Sequence, residues 1–467
     1  VTRSWWFTIE SLFSRATSKA LLGIIGLTSF FDDLREAWSS YPYKEIIRRA
    51  RKGVDAVYPQ GRFWPALMAV KGAAVVEQPR RFATLDDILL LPPAFTPLRL
   101  KKMSEILREP NYSDVDLGTE FGGFRASMPL MVASMGSVQM ANRVSLEIAK
   151  AAGRLGVPMG VGENVATMWG YSKRIRRNQP CFKERVMTYL EATEGEVGGI
   201  VIQQSVEDAY NELWNRVYSD PDIEPYIEKG AVGFEVKIGQ GAKPGLGGEA
   251  RVPLKEAVRL RDKYHIPEVS ETEGGGYVTR HSAPGTYTPD ILRGMVRMMR
   301  NNYPRCRLWV KLGPFRDLPQ VLRILLEERV DAVWIDGKEG GTGMSPQASM
   351  KHLGLPLLAA LCSIVEFLAN REGGMGLLAA GRLYDGGHLV KCLCLGLDGM
   401  VVGRPMVISA WAAGARGVEN YVRTVEVEAK MLISALGKYS VKELGPEDLG
   451  CLDQGLAERL HIRHVYG

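Results

Sequence analysis

Cysteine is scarce in this chain: six among 467 residues, at Cys181, Cys306, Cys362, Cys392, Cys394 and Cys451. No two form a C-x-x-C and none has zinc or iron–sulfur spacing, so a thiol-held metal centre is not expected. So few cysteines in so long a chain point to reduced thiols and a cytoplasmic address. Histidine is equally sparse, six residues without an H-x-x-x-H pair, which argues against a catalytic metal. Charge of one sign is not in marked excess either, with 59 basic against 53 acidic residues and a net +6. The basic clusters Arg48–Lys52 and Lys173–Arg177 read as solvated helix faces. No aromatic-interleaved signature accompanies them, so no nucleic-acid partner is expected. The apolar run Ala20–Phe31 has twelve residues between Lys19 and Asp32, short of the ~20 that a membrane-spanning helix needs. No small-residue cleavage site follows it. Packing on the protein body or at a subunit interface is the favoured reading. Peripheral contact with a membrane, helped by Trp5, Trp6 and Phe7, is the alternative.

Glycine, by contrast, is concentrated where strands end. The apolar segment Ala332–Ile335 runs into Asp336-Gly337-Lys338-Glu339-Gly340-Gly341-Thr342-Gly343-Met344-Ser345-Pro346. Glycine lets backbone N–H groups come close to a ligand, as in loops that cradle phosphate or a planar ring. A second such loop lies upstream, Lys237-Ile238-Gly239-Gln240-Gly241-Ala242-Lys243-Pro244-Gly245-Leu246-Gly247-Gly248. From Met128 onward short apolar strands alternate with helical stretches. They are Pro129–Ser134, Pro158–Gly162, Gly199–Gln203, Val232–Ile238, Leu308–Leu312, Ala332–Ile335, Leu377–Ala380 and Met400–Val402. Eight near-continuous apolar strands with helices between them predict a closed parallel (β/α)₈ TIM barrel. A doubly wound sheet would call for G-x-G-x-x-G after the first strand, and none is there. Residues 1–115 read as an N-terminal helical extension, with a helix start at Thr84-Leu85-Asp86-Asp87. Residues 116–416 read as the barrel and 417–467 as a C-terminal helical tail, with a helix from Val418 to Leu436. The segment from Glu273 to Pro289 reads as a long loop and a candidate lid.

The late strands carry the phosphate signal. Gly381-Arg382 and Gly403-Arg404 follow strands seven and eight, where barrel enzymes often hold phosphate, and arginine matches phosphate geometry bidentately. Lys311 ends strand five inside an apolar segment. A lysine there needs an anionic partner, either a cofactor ring or substrate, or else a buried acid elsewhere in the fold. The same argument applies to Lys237 on strand four. Glu163, just after strand two, is placed to face the same mouth.

These segments resemble the FMN-binding synthase domain of the glutamate synthase family. Residues Lys237–Gly248 are similar to its K-x-x-Q-G-A-K-P-G-x-G-G string. Gly340–Pro346, followed by Lys351-His352, is similar to its G-G-T-G-A-S-P…K-H. Gly162-Glu163 matches part of N-T-G-E-G-G, and Arg280–Gly285 resembles R-H-S-x-P-G. The resemblance implies an FMN oxidoreductase that reduces 2-iminoglutarate, formed from 2-oxoglutarate and ammonia, to L-glutamate. By match, Lys311 and Glu163 would be catalytic, with Glu163 addressing the imino nitrogen. Ser134, Met135, Gly136, Gln203, Lys237, Lys311, Gly341, Thr342, Gly343, Gly381, Arg382, Gly403 and Arg404 would hold the cofactor. Gln240, Lys243 and Ser345 would meet the substrate.

The chain also departs from that family. No cysteine lies between Pro405 and Arg423, where the family's iron–sulfur cluster is expected, and no cysteine near residue 1 suggests an amidotransferase. Electrons and ammonia would then come from separate subunits, from a nicotinamide or from free solution, and a homo-oligomer is expected. Two other readings remain open. One is a different FMN barrel, a flavin-dependent isomerase or a 2-hydroxy acid oxidase, the latter weakened because only His281 and His352 are well placed as a base. The other is a non-catalytic barrel subunit of a larger complex.

Overall fold

The computed structural model describes residues 82–467 apart from 263, 267–275, 342–344 and 372–373. Thr342, Gly343, the apolar run Ala20–Phe31 and the first part of the expected lid lie outside the described residues. Eight parallel strands close into a barrel: β1 Leu130–Met135, β2 Met159–Val161, β3 Ile200–Gln204, β4 Val232–Ile238, β5 Arg307–Leu312, β6 Ala332–Asp336, β7 Gly376–Ala380 and β8 Gly399–Val402. Each expected strand is present, because a segment buried on both faces must be apolar almost throughout. The flanking helices include α1 Ser145–Arg154, α2 Phe182–Ala192, α3 Pro289–Asn302, α4 Leu318–Glu327, α5 Leu357–Asn370, α6 Gly386–Cys394 and α7 Arg404–Ala435.

Strand periodicity divides every segment between two cores. Outward residues such as Val236, Val310, Val333, Leu377 and Met400 pack against the helices. Inward residues fill the barrel, where Met131, Val201, Trp309, Ala332, Trp334, Leu378 and Val401 form a separate apolar cluster. A hairpin, Thr119–Phe121 with Phe124–Ala126, plugs the barrel's N-terminal end. Phe124 stacks on Trp309 at 5.7 Å and Phe121 meets it edge-on at 6.2 Å. Gly122 (φ 57°) carries the turn, and a Cβ there would lie 2.2 Å from the Trp309 ring.

Above this floor the inward positions turn polar. Pairing of β5 with β4 and β6 sets Lys311 level with Lys237 on one side and Trp334 on the other. Two residues earlier on the same face of β4, Glu235 is fully buried. It accepts from Trp334 Nε1 at 2.5 Å and from Gln203 Nε2.

Outside the barrel some elements differ from expectation. The helix start at Thr84 is real, with the Thr84 side chain accepting from Asp86 N, but it makes only the 3₁₀ turn Leu85–Asp87. Ile88–Leu90 then forms a strand, because Leu449–Cys451 of the tail offers it an antiparallel partner. The tail continues parallel to Arg463–His464, so it contributes strands as well as helix. The helix expected from Val418 starts earlier, at Arg404, and is interrupted at Ala413–Gly414. Within the expected lid, Tyr277–Arg280 is a strand paired antiparallel with Ala250–Pro253. Among the described residues no helix is long and apolar enough to cross a membrane.

Candidate active site

The C-terminal ends of the strands open into a cavity of about 420 Å³, within the range of sites that take cofactors and small substrates. Its base is made by the upper inward layer of the barrel. Lys311, which is 5 % exposed, stands 4.1 Å above the Trp334 ring centroid and 3.8 Å from Asp336 Oδ2. The buried acid weighed as a partner for Lys311 therefore exists, and it is Asp336. Asp336 Oδ2 also accepts from Gly241 N at 3.0 Å. Burial pulls the Lys311 amine below the ordinary lysine range, and Asp336 opposes that pull.

Lys237 is ion-paired with Glu163. Burial would raise the Glu163 carboxyl, but Lys237, Lys243 and Lys311 together hold it at about 2. A carboxyl whose folded pKa is depressed stabilises the fold above its unfolded value, near 4.5, and that contribution is lost as pH falls toward 2. The stability difference between the parent and Glu163→Gln should therefore be constant above pH ~5 and shrink steadily below pH ~4.5. Urea unfolding across that range checks it. A difference independent of pH would show that the Lys237 pair does not stabilise the carboxylate.

The two glycine-rich loops meet. A Cβ at Gly241 would lie 2.0 Å from the Gly337 carbonyl oxygen, so only glycine admits this approach. Gln240 Nε2 donates to the Gly341 carbonyl at 2.8 Å, and Ser345 Oγ donates to the Ala242 carbonyl at 3.0 Å. Along the ends of β6, β7 and β8 the cavity wall is Gly341, Gly381, Arg382, Gly403 and Arg404. Arg404 Nη2 donates to the Glu339 carbonyl at 2.7 Å, which fixes the guanidinium beside the glycines. Two guanidiniums beside a glycine wall are a donor set suited to a phosphate dianion.

Most of the residues expected in the site line this cavity: Ser134, Met135, Gly136, Glu163, Lys237, Gln240, Lys243, Lys311, Gly341, Gly381, Arg382, Gly403 and Arg404. Two are not brought to it. Gln203 lies in the barrel interior, where its amide binds Glu235 and accepts from Glu163 N at 3.3 Å. Ser345 is fully buried with its hydroxyl turned to backbone carbonyls. Neither His281, which pairs with Glu249 at 2.6 Å, nor His352 is part of the cavity wall. Of the expected lid, Ser282–Gly285 and Tyr287 do line it.

Sequence reasoning missed Trp334, Asp336, Arg280 and Glu207 in the cavity wall. The first two share a signal, since Trp334 is the strand partner of Lys311 and Asp336 lies two residues further along the same face. Glu207 and Arg280 come from loops, where no periodicity reports direction.

Comparison with known proteins adds a lineage. The family model described as the conserved region in glutamate synthase matches residues 124–416. A Methanocaldococcus jannaschii protein named archaeal glutamate synthase (NADPH) is 24% identical over 466 residues, covering 87% of this chain and 81% of that protein. A Thermotoga neapolitana protein named archaeal-type glutamate synthase (NADPH) is 24% identical over 310 residues; 65% of this chain matches 52% of it, about half its length. A solved flavocytochrome b2 variant with sulfite bound superposes with a TM-score of 0.52 at 16% identity, covering 89% of this chain and 87% of that chain. At that identity the likeness speaks for the barrel alone.

Proposed function

The chain belongs to the glutamate synthase family, and from that premise we propose that it is an FMN-dependent oxidoreductase forming L-glutamate from 2-oxoglutarate and ammonia through 2-iminoglutarate. The observation that carries this reading is the layer of Lys237, Lys311 and Glu163 at the cavity base, beside a wall of glycines and two arginines. Gly341, Gly381, Arg382, Gly403 and Arg404 suit the cofactor phosphate, and Ser134, Met135, Gly136 and Lys237 line the same wall toward β1 and β4. When bound, FMN supplies the hydride. Lys311 would offer a cation to the bound flavin and to the substrate carboxylate, in a site where low dielectric strengthens each charge. Glu163, held ionised by its lysines, favours the cationic iminium that is the better hydride acceptor. Gln240 and Lys243 orient the substrate.

All six cysteines are free thiols, which supports work in a reducing compartment. Electrons come from a separate protein or a nicotinamide, and the substrate is a small 2-oxo or imino acid.

The protein should purify yellow with stoichiometric FMN. Arg404→Ala and Arg382→Ala each remove a charge-assisted contact of about 1.5–3 kcal/mol, so FMN affinity should fall at least ~tenfold. Fluorescence titration of apoprotein with FMN measures it. Parent-like affinity in both variants, or FAD as the native cofactor, would overturn the phosphate assignment. Reoxidation of the reduced protein by 2-oxoglutarate plus ammonia, and not by 2-oxoglutarate alone, tests the reaction itself.

A further inference from the structure

Most charges around the cavity are matched within the protein. Lys237 pairs with Glu163, Lys311 with Asp336, and Arg404 with the Glu339 carbonyl. Arg382 is exposed and faces the proposed cofactor phosphate; two buried charges remain unmatched. Lys243 and Glu207 both line the cavity and are 7 % and 6 % exposed. Among the described residues neither side chain has a hydrogen-bond or ion-pair partner, and they do not pair with each other. Leaving one buried charge unmatched is costly. Holding two opposite ones apart in a single cavity is the arrangement that a ligand with both charges would complete.

The backbone around Glu207 is fixed by its neighbours. Glu207 lies in the short turn Val206–Ala209 just beyond β3. Asp208, the next residue, is fully buried and accepts from Asn164 N at 2.6 Å and Thr167 Oγ1 at 2.7 Å. The Glu207 carbonyl accepts from Asn211 Nδ2 at 2.8 Å. These bonds lock the turn while its carboxylate stays unengaged at the cavity wall. Lys243 shows the matching deficit: burial and the neighbouring Lys237 cation pull its amine down to about 7, with Glu163 opposing them.

We propose that Glu207 is an ammonium subsite of this cavity, taking the cationic nitrogen of a ligand whose carboxylate meets Lys243. The inference rests on the reading above that the cavity handles amino and imino nitrogen. It adds that a dianionic 2-oxo acid leaves Glu207 unfilled, so ammonium or the amino acid is bound by a contact that the 2-oxo acid does not make.

The test titrates flavin-loaded protein with ammonium chloride, methylammonium chloride, L-glutamate and 2-oxoglutarate, read by calorimetry and by flavin difference absorbance. Glu207→Gln should weaken binding of the nitrogen-bearing ligands at least ~tenfold, the size of one lost charge-assisted contact. Its affinity for 2-oxoglutarate should move less than ~threefold. Glu207→Asp should restore part of the loss, and unchanged melting temperatures would separate binding from folding. A response to the simple ammonium salts identifies free ammonium as the source, and a response confined to L-glutamate identifies the amino acid. Equal binding by parent and Glu207→Gln, or an equal loss of 2-oxoglutarate, would overturn the subsite. If the protein fails to convert 2-oxoglutarate and ammonia yet binds ammonium through Glu207, the proposed reaction falls and the subsite stands.

Discussion

Lys311→Met should slow reoxidation of the reduced protein by an imino acid by two or more orders of magnitude. The substitution keeps the side-chain volume over Trp334 and deletes a charge that is 5 % exposed. Losing preorganised electrostatic stabilisation in a water-poor site has effects of about this size. A purely structural lysine would behave differently. Its removal would leave Asp336 without its nearest cation, lowering the melting temperature while the rate per folded molecule stayed near the parent's. Stopped-flow reoxidation and thermal unfolding on the same sample separate the two. A rate within ~threefold of the parent would assign Lys311 to the Asp336 pair alone.

Trp309→Ala should destabilise the barrel by about 3–5 kcal/mol. Trp309 is fully buried on the barrel axis, stacked on Phe124 and edge-on to Phe121. Its indole N–H donates to the Gly122 carbonyl at 3.1 Å, so truncation empties the floor and orphans that carbonyl. The hairpin cannot move in to refill the space without breaking the bonds that tie it to the barrel's end, from Gly198 N to the Arg125 carbonyl (2.8 Å) and from Ser127 N to the Gly156 carbonyl (3.1 Å). Urea unfolding measures the loss. A change below ~1 kcal/mol would mean that the floor relaxes around the void, and the hairpin would not be the plug described above.

Function should be less affected in Trp309→Ala than stability, because the floor lies a full layer below Lys311. That separation follows from inward residues alternating along β5, with Trp309 and Lys311 two positions apart. It also shows why much of the site was legible beforehand. Charged residues such as Lys237 and Lys311 stand out in apolar strands, and glycine runs at strand ends announce close approach to a ligand. The periodicity that makes them conspicuous also fixes that they point inward. Gln203 was legible as an inward residue too, but not its depth. It sits level with Glu235 in the register of β3 and β4, so it serves the barrel interior rather than the cavity.

The sequence alone determined the eight strands, their order and the two glycine-rich loops, because these depend on local composition: apolar runs of strand length, and glycine where backbone must come close. It also determined which lysines were anomalous, since charge inside an apolar strand is a local contradiction that needs a partner. Tertiary structure alone decided the partners. Asp336 faces Lys311 through strand register, and Ser345 turns from the cavity to the Ala242 carbonyl because the two loops pack together. Ile88–Leu90 became a strand because Leu449–Cys451, some 360 residues away, lies beside it. Glu207 was left unmatched by the packing of a turn that Asp208 holds in place. Each of these depends on contacts between distant segments, and hydrogen-bond and charge pairing across such distances leaves no trace in local sequence pattern.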